Sequence, residues 1–292
     1  AIDQRAQASD ATAGIRERFP CTDLVGRSPA LARVLSLASL AAQADSPVLL
    51  TGPSGTGKSL LARAIARSGT RRDAPFVELN CAALPSELIE SELFGASRGA
   101  HSTATAARAG LVAAAEGGTL FLDEIAELPS AAQAKLLHLT QTGSYHRLGD
   151  DSPHRANVRI IAATNADVSG AAQPHRLRRD LYYRLAVVEI ELPTLDARRE
   201  DVPLLAGALV GEVARSLGIP APELSVESGV LLERRSWPGN VRELRNAVEL
   251  AMLRARAEGS SVLRAEHFGA HTEQNTPLAS LHGYLETLSL KD

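Results

Sequence analysis

The stretch Thr51-Gly52-Pro53-Ser54-Gly55-Thr56-Gly57-Lys58-Ser59 constrains this chain more than any other. It reads G-x-x-x-x-G-K-S. Before it runs Pro47-Val48-Leu49-Leu50-Thr51, with the look of a buried parallel strand. After it runs Leu60-Leu61-Ala62-Arg63-Ala64-Ile65-Ala66, rich in helix formers, with Leu61 and Ile65 on one face. Glycines 52, 55 and 57 let the backbone bend and bring its N–H groups against phosphate oxygens. The helix N-terminus adds partial positive charge. Lys58 can reach the β- and γ-phosphates of a nucleotide, and the Ser59 hydroxyl can hold Mg²⁺. The expected wrap includes Pro53, Ser54, Thr56 and Leu60 as well. The plainer alternative is a glycine-rich turn that binds nothing, but the strand–loop–helix context favours a phosphate cradle. Among 28 arginines and only three lysines, one lysine stands at position 58.

A length of 292 residues suffices for one large domain and a smaller one. With 45% hydrophobic and 22% charged residues the composition is that of a soluble globular protein. Aromatics make up 3%, so the core must be built from Leu, Val, Ile and Ala. A net charge of −3 argues against wholesale attraction to nucleic acid. Cys21 and Cys81 form no C-x-x-C pair and the eight histidines show no metal-ligand spacing, which fits a reducing cytosol and a cytoplasmic location. No apolar run approaches the roughly 20 residues of a membrane helix, and no signal-peptide pattern opens the chain. It begins at Ala1 without an initiator Met, the expectation for a piece excised from something larger.

Residues 1–22 read as a loose arm. A helix is expected next, through Leu31, Val34, Leu35 and Ala38, opening at Ser28-Pro29. Phe76-Val77-Glu78-Leu79 is a second strand that leads into Asn80, and a helix follows from Pro85 to Phe94. Residues 95–110 carry no large apolar side chain, so they form either a solvated loop or a loop that touches a partner. Gly117-Gly118-Thr119-Leu120-Phe121-Leu122-Asp123-Glu124 is a turn and a buried strand ending in two acids, at the side where open α/β sheets bind ligands. Asp123 would hold the Mg²⁺ shell and Glu124 would polarise the attacking water; a helix-starting acidic pair is the alternative. A helix is expected over 131–141, a strand over 158–164 ending at Asn165, and a strand over 187–190. Between the last two lies His175-Arg176-Leu177-Arg178-Arg179-Asp180-Leu181-Tyr182-Tyr183-Arg184, a solvated basic face, a DNA patch, or arginines offered to a neighbour's nucleotide. Beyond Pro193 the pattern is helical, with Asn240 expected to cap a helix to about residue 257. Arg242 in its first turn opposes the helix dipole, so it is solvated or engaged with an anion. A short amphipathic segment is expected over 278–290.

Over residues 24–268 the assembled pieces resemble the central AAA+ ATPase module of bacterial enhancer-binding proteins, the activators of sigma-54 RNA polymerase. The resemblance rests on Val25-Gly26-Arg27-Ser28, the phosphate loop, Leu79-Asn80-Cys81-Ala82-Ala83-Leu84, Glu92-Leu93-Phe94-Gly95 and the 117–124 stretch. It rests also on Ala163-Thr164-Asn165, Arg179-Asp180-Leu181-Tyr182-Tyr183-Arg184-Leu185 and Trp237-Pro238-Gly239-Asn240-Val241-Arg242-Glu243-Leu244. It implies an α/β P-loop NTPase fold: a five-stranded parallel sheet flanked by helices over 23–192, a small all-helical lid over 193–269, and a tail over 270–292. It makes Lys58 and Ser59 Walker A, Asp123 and Glu124 Walker B, and Asn80 the switch that holds Glu124. Asn165 becomes sensor I, Arg178 and Arg184 the fingers acting in trans, and Arg242 the sensor II arginine bound to ATP. A hexameric ring, ATP with Mg²⁺ and the sigma-54 holoenzyme are the implied assembly, ligands and partner. Contact with DNA would pass through a domain outside this chain. The family's loop hexapeptide G-A-F-T-G-A is here Gly99-Ala100-His101-Ser102-Thr103-Ala104. His101 replaces the large apolar Phe and buries less apolar surface, so the change bears on coupling to sigma-54 and leaves ATP hydrolysis untouched. Two further readings are an AAA+ regulator acting on another partner and a nucleotide-dependent oligomerisation switch without turnover.

Overall fold

The structure, a computed structural model, describes residues 10–97, 108–165 and 177–269. Five parallel strands form its centre: β1 (Val48–Thr51), β2 (Phe76–Asn80), β3 (Thr119–Asp123), β4 (Arg159–Thr164) and β5 (Val188–Glu191). Their order across the sheet is β2-β3-β4-β1-β5. The three inner strands are buried at nearly every position, and mostly apolar, because both faces of the sheet are covered.

Side-chain alternation along the strands divides that apolar set between two cores. Leu49, Leu120, Leu122, Ile160 and Ala162 face one, filled by α3 (Ser86–Phe94), α4 (Ser130–Thr142) and α5 (Arg179–Leu185). Val48, Leu50, Phe121, Ile161 and Ala163 face the other, filled by α1 (Pro29–Ala42) and α2 (Lys58–Arg67). Helix α1 starts where the sequence expects: the Ser28 hydroxyl accepts the Leu31 amide at 3.2 Å and Pro29 occupies the first turn.

The helical unit consists of α6 (Val202–Leu217), α7 (Val226–Arg234) and α8 (Asn240–Ala257). Its own core gathers Leu195, Leu209, Trp237, Leu244, Val248 and Met252. A two-residue parallel pairing of Glu223–Leu224 with Val262–Leu263 lies within it, too short to leave a periodicity in the sequence.

Two expectations are corrected. Of the expected loose arm, residues 10–22 pack against the second core: Phe19 is 1% exposed, and the Arg16 guanidinium donates to the carbonyls of Cys21, Leu24 and Gly26. A single anchoring aromatic leaves no period to read. The Asn240 side chain does not cap α8. Asn240 adopts φ +53°, which turns the amide toward the phosphate loop, while the Gly239 N–H bonds the Glu243 carboxylate at 2.9 Å. The expected partner loop, Gly99 to Ala104, lies outside the described residues, as do His175, Arg176 and the 278–290 segment. At the base of that loop Gly95–Ala96 pairs antiparallel with Arg108–Ala109.

Candidate functional site

Strand register gathers the expected residues at one edge. Asn80 pairs with Asp123 and Thr51 with Thr164, so the loop after β1, the acids ending β3 and Asn165 after β4 all emerge at the carboxyl ends of the strands. Between this edge and the start of α8 lies a cleft of about 320 Å³. Its walls include Lys58, Ser59, Asp123, Glu124, Arg242 and Arg245.

The phosphate loop is sorted by polarity. Gly55 and Gly57 hold φ of +79° and +107°, a region that side chains disfavour. Every carbonyl of residues 52–56 accepts a hydrogen bond. The Lys58 ammonium donates to Gly52 O at 2.8 Å and to Pro53 O at 3.3 Å, and the Thr56 hydroxyl also donates to Pro53 O. Asn240 Nδ2 donates to Ser54 O at 3.0 Å, the Val241 amide to Gly55 O at 3.0 Å and Arg198 Nη2 to Thr56 O at 3.2 Å. Among the described residues none of the amides of Ser54, Gly55, Thr56 and Gly57 donates to a protein acceptor. A loop whose carbonyls are all occupied and whose amides are free presents donors alone, as an anion requires.

Lys58 is buried at 6% exposure, and burial holds its ammonium below the ordinary value against the opposing pull of Glu124 and Asp123. The Ser59 hydroxyl sits 3.4 Å from Asp123 Oδ2. A hydroxyl and a carboxylate side by side, next to a buried ammonium, form the oxygen donor set that suits Mg²⁺. Glu124 adopts φ +53°, and its carboxylate accepts the Asn165 backbone amide at 3.2 Å. That bond aims the acid along the edge of the sheet, toward the end of β4.

The remaining expected residues fall into two groups. Asn80 and Asn165 stand beside the cleft. The Asn80 side-chain oxygen accepts the Ala82 amide at 2.9 Å, so in this conformation Asn80 is engaged locally and Glu124 is held by Asn165. Arg178 and Arg184 lie elsewhere on the surface, exposed, at the two ends of α5. Arg178 makes a two-pronged contact with Asp180 at 3.1 and 2.8 Å, which raises the arginine's pKa and lowers that of Asp180. Arg184 donates through Nε to Thr140 O at 2.9 Å.

From the lid side, Arg242 donates to the Ser54 hydroxyl at 2.6 Å. Sequence reasoning missed Arg198, Asn240 and Arg245 as neighbours of this cleft. Arg245 carried a readable signal, being three residues beyond Arg242 and so on the same helix face. Arg198 and the side-chain direction of Asn240 carried none, since both depend on non-helical backbone at single residues.

Comparison with known proteins gives this geometry its relatives. The sigma-54 interaction domain matches residues 24–191, and the AAA+ ATPase lid domain matches residues 196–282. The anaerobic nitric oxide reductase transcription regulator NorR of Aeromonas hydrophila is 46% identical over 249 residues, 84% of this chain and 49% of NorR. The DNA-binding transcriptional regulator NtrC of Salmonella typhimurium is 42% identical over 263 residues, 90% of this chain and 56% of NtrC. The chain thus spans about half the length of the curated relatives it matches. NtrX from Brucella abortus, solved in complex with ATP, superposes with a TM-score of 0.77 at 33% identity, covering 90% of this chain and 58% of NtrX. RuvB of Thermotoga maritima shares the fold alone, at a TM-score of 0.60 and 17% identity over 84% of this chain and 69% of RuvB. With a sorted phosphate loop, a paired acid edge and both domain matches in sequence, the chain belongs to the sigma-54 interaction domain family, an AAA+ α/β domain followed by its helical lid.

Proposed function

We propose that this chain is the ATP-hydrolysing, ring-forming motor of a transcriptional activator, which remodels a sigma-54 RNA polymerase promoter complex. The observation that carries the reading is the loop of free amides lying across the cleft from Glu124. The amides and Lys58 hold the β- and γ-phosphates of ATP, and Arg242 on the lid closes over them. Glu124 orients a water toward the γ-phosphorus and draws off its proton as the bond to the β-γ bridging oxygen breaks, leaving ADP and phosphate. Ser59 and Asp123 would hold Mg²⁺, which would supply positive charge for the phosphate oxygens.

Neither Arg178 nor Arg184 lines the cleft of its own subunit. Acting in trans, they reach the nucleotide of the next subunit in a ring, and Asp180 and Thr140 O hold them meanwhile. Asn80 acts as the switch by exchanging Ala82 for Glu124, and Asn165 senses the γ-phosphate. Residues 23–192 and 193–269 are the two working parts, and the loop at residues 99–104 carries the contact with sigma-54. A second reading, a remodeller of some other partner, is favoured by His101 standing where the family has Phe.

Phosphate release tests this. Wild type should turn over ATP with a specific activity that rises with protein concentration, and Glu124→Gln should lose about 10²–10⁴-fold. Equal, negligible rates for the two would remove the enzyme reading; turnover indifferent to dilution would remove the fingers in trans. A binding assay with sigma-54 and a transition-state analogue of ATP, on wild type and His101→Phe, separates the two partner readings.

A further inference from the structure

Arg245 has no role in the reading above, yet it lines the nucleotide cleft together with Lys58, Glu124 and Arg242. It lies three residues beyond Arg242 on α8, so the two guanidinium stems leave the helix on one face. In this structure its head group rests on Glu212 of α6 at 3.4 Å, with side-chain exposures of 42% for Arg245 and 55% for Glu212. A single long contact between two half-exposed groups in water binds weakly. Leaving it therefore costs Arg245 little. The cleft itself offers stronger partners: an anion held among the free amides of residues 54–57 would be shielded from solvent on the loop side. Arg242 already holds the Ser54 hydroxyl at 2.6 Å and is thereby tied to the loop, which leaves Arg245 as the cation of this wall with freedom to swing.

We infer that Arg245 is a second lid arginine for the nucleotide: on binding of a nucleoside triphosphate it exchanges Glu212 for the terminal phosphate. Glu212 is the parking carboxylate that competes for it. The inference rests on the reading of the cleft as an ATP site. The terminal phosphate is the assigned contact because Asp123 and Glu124, the hydrolytic end, line the same cleft as Arg245, and because a fork of N–H donors suits a phosphate group better than a ribose hydroxyl. The exchange would also bind the lid to the nucleotide by a second strut, one helical turn from Arg242.

The test is calorimetric titration of the full chain with Mg²⁺ and either the imido analogue of ATP or ADP. Wild type, Lys58→Ala, Arg245→Ala, Arg245→Lys and Glu212→Gln are compared, each checked for its melting temperature. Arg245→Ala should weaken the triphosphate analogue about ten- to hundredfold and ADP much less. Arg245→Lys should recover part of that loss, and Glu212→Gln should bind the analogue at least as tightly as wild type. The opposite signs are decisive, since a purely structural ion pair would make Arg245→Ala and Glu212→Gln weaken binding alike, and that result overturns the inference. An equal loss for ADP and the analogue overturns the terminal-phosphate assignment. Unchanged affinity in Arg245→Ala, with Lys58→Ala weakened, overturns the inference and leaves the ATP site standing. No binding by wild type removes the ATP reading itself.

Discussion

The side-chain amide of Asn240 donates to Ser54 O at 3.0 Å while its oxygen accepts the Leu195 amide at 2.8 Å, so one buried side chain fastens the helical unit to the phosphate loop. Asn240→Ala removes both bonds, strands the buried Leu195 amide and the part-buried Ser54 carbonyl, and keeps a Cβ in the left-handed region. A destabilisation of about 2–4 kcal/mol follows, visible as a lower denaturant midpoint. Asn240→Gly loses the same bonds without the backbone penalty and should sit about 1 kcal/mol above Ala. If Ala proves equal to wild type, the lid is held elsewhere.

Gly55 lies directly against the lid, its carbonyl accepting the Val241 amide at 3.0 Å. A Cβ there would lie 2.6 Å from Gly239 O and 3.1 Å from the Arg242 Cβ, at a φ of +79°. Neither obstacle is the far end of a flexible side chain. Gly55→Ala should therefore push α8 away from the loop and cost at least about tenfold in nucleotide affinity, since a shift of this size takes Arg242 off Ser54. Isothermal titration with ATP analogues decides it, and an unaltered affinity would contradict the close docking described here.

Asp201, fully buried, accepts the amides of Arg27 and Ser28 at 2.7 and 2.9 Å and the Ser28 hydroxyl at 2.6 Å. These bonds join the start of the lid to the segment that begins α1. Asp201→Ala leaves three donors, two of them buried, without an acceptor and should cost about 3–5 kcal/mol, whereas Ser28→Ala, which removes one donor, should cost about 1 kcal/mol. Urea unfolding of the two variants measures the ratio, and similar costs would mean that the carboxylate is not the hub.

Asp150 titrates far from its ordinary value. The hydrogen bond from His154, with the Ser152 amide second, lowers its pKa from 3.8 to about 2. A depressed folded-state pKa favours the folded chain above the unfolded value, and that contribution is lost as the pH falls from 3.8 toward 2. Both groups lie near the surface, so the effect on stability is small and the direct readout is the carboxyl carbon resonance. Its midpoint should lie near 2 in wild type and move up toward 3.8 in His154→Ala.

How much of this was legible beforehand depends on how local the cause is. The five strands and the helices behind them follow from apolar runs and from caps such as Ser28, because a strand covered on both faces must be apolar throughout. The cradle, Asp123 and Glu124 were legible because their chemistry fixes residue type and spacing within a few positions. The Asn240 side chain was misread as a cap because its direction is set by one left-handed residue that no periodicity announces. The packing of Phe19 and the Arg198 contact with Thr56 were invisible for the related reason that each joins segments far apart in the chain. Asn80 and Glu124 were read as partners; here each has another partner, Ala82 and Asn165, so their meeting needs a change of conformation.

The occupied carbonyls of the phosphate loop carry a thermodynamic consequence. Asn240 and Val241 of the lid take those of Ser54 and Gly55, and the Arg198 guanidinium takes that of Thr56. These bonds set the peptide planes whose other sides offer the free amides. Whatever factor a seated lid contributes to anion affinity, the bound anion must return to lid seating, because the two equilibria share one coupling free energy. A change in the bound anion is then felt, through the peptide planes of the loop, as a change in how firmly three helices are held. A molecule that gripped those helices would read the state of the anion without touching it.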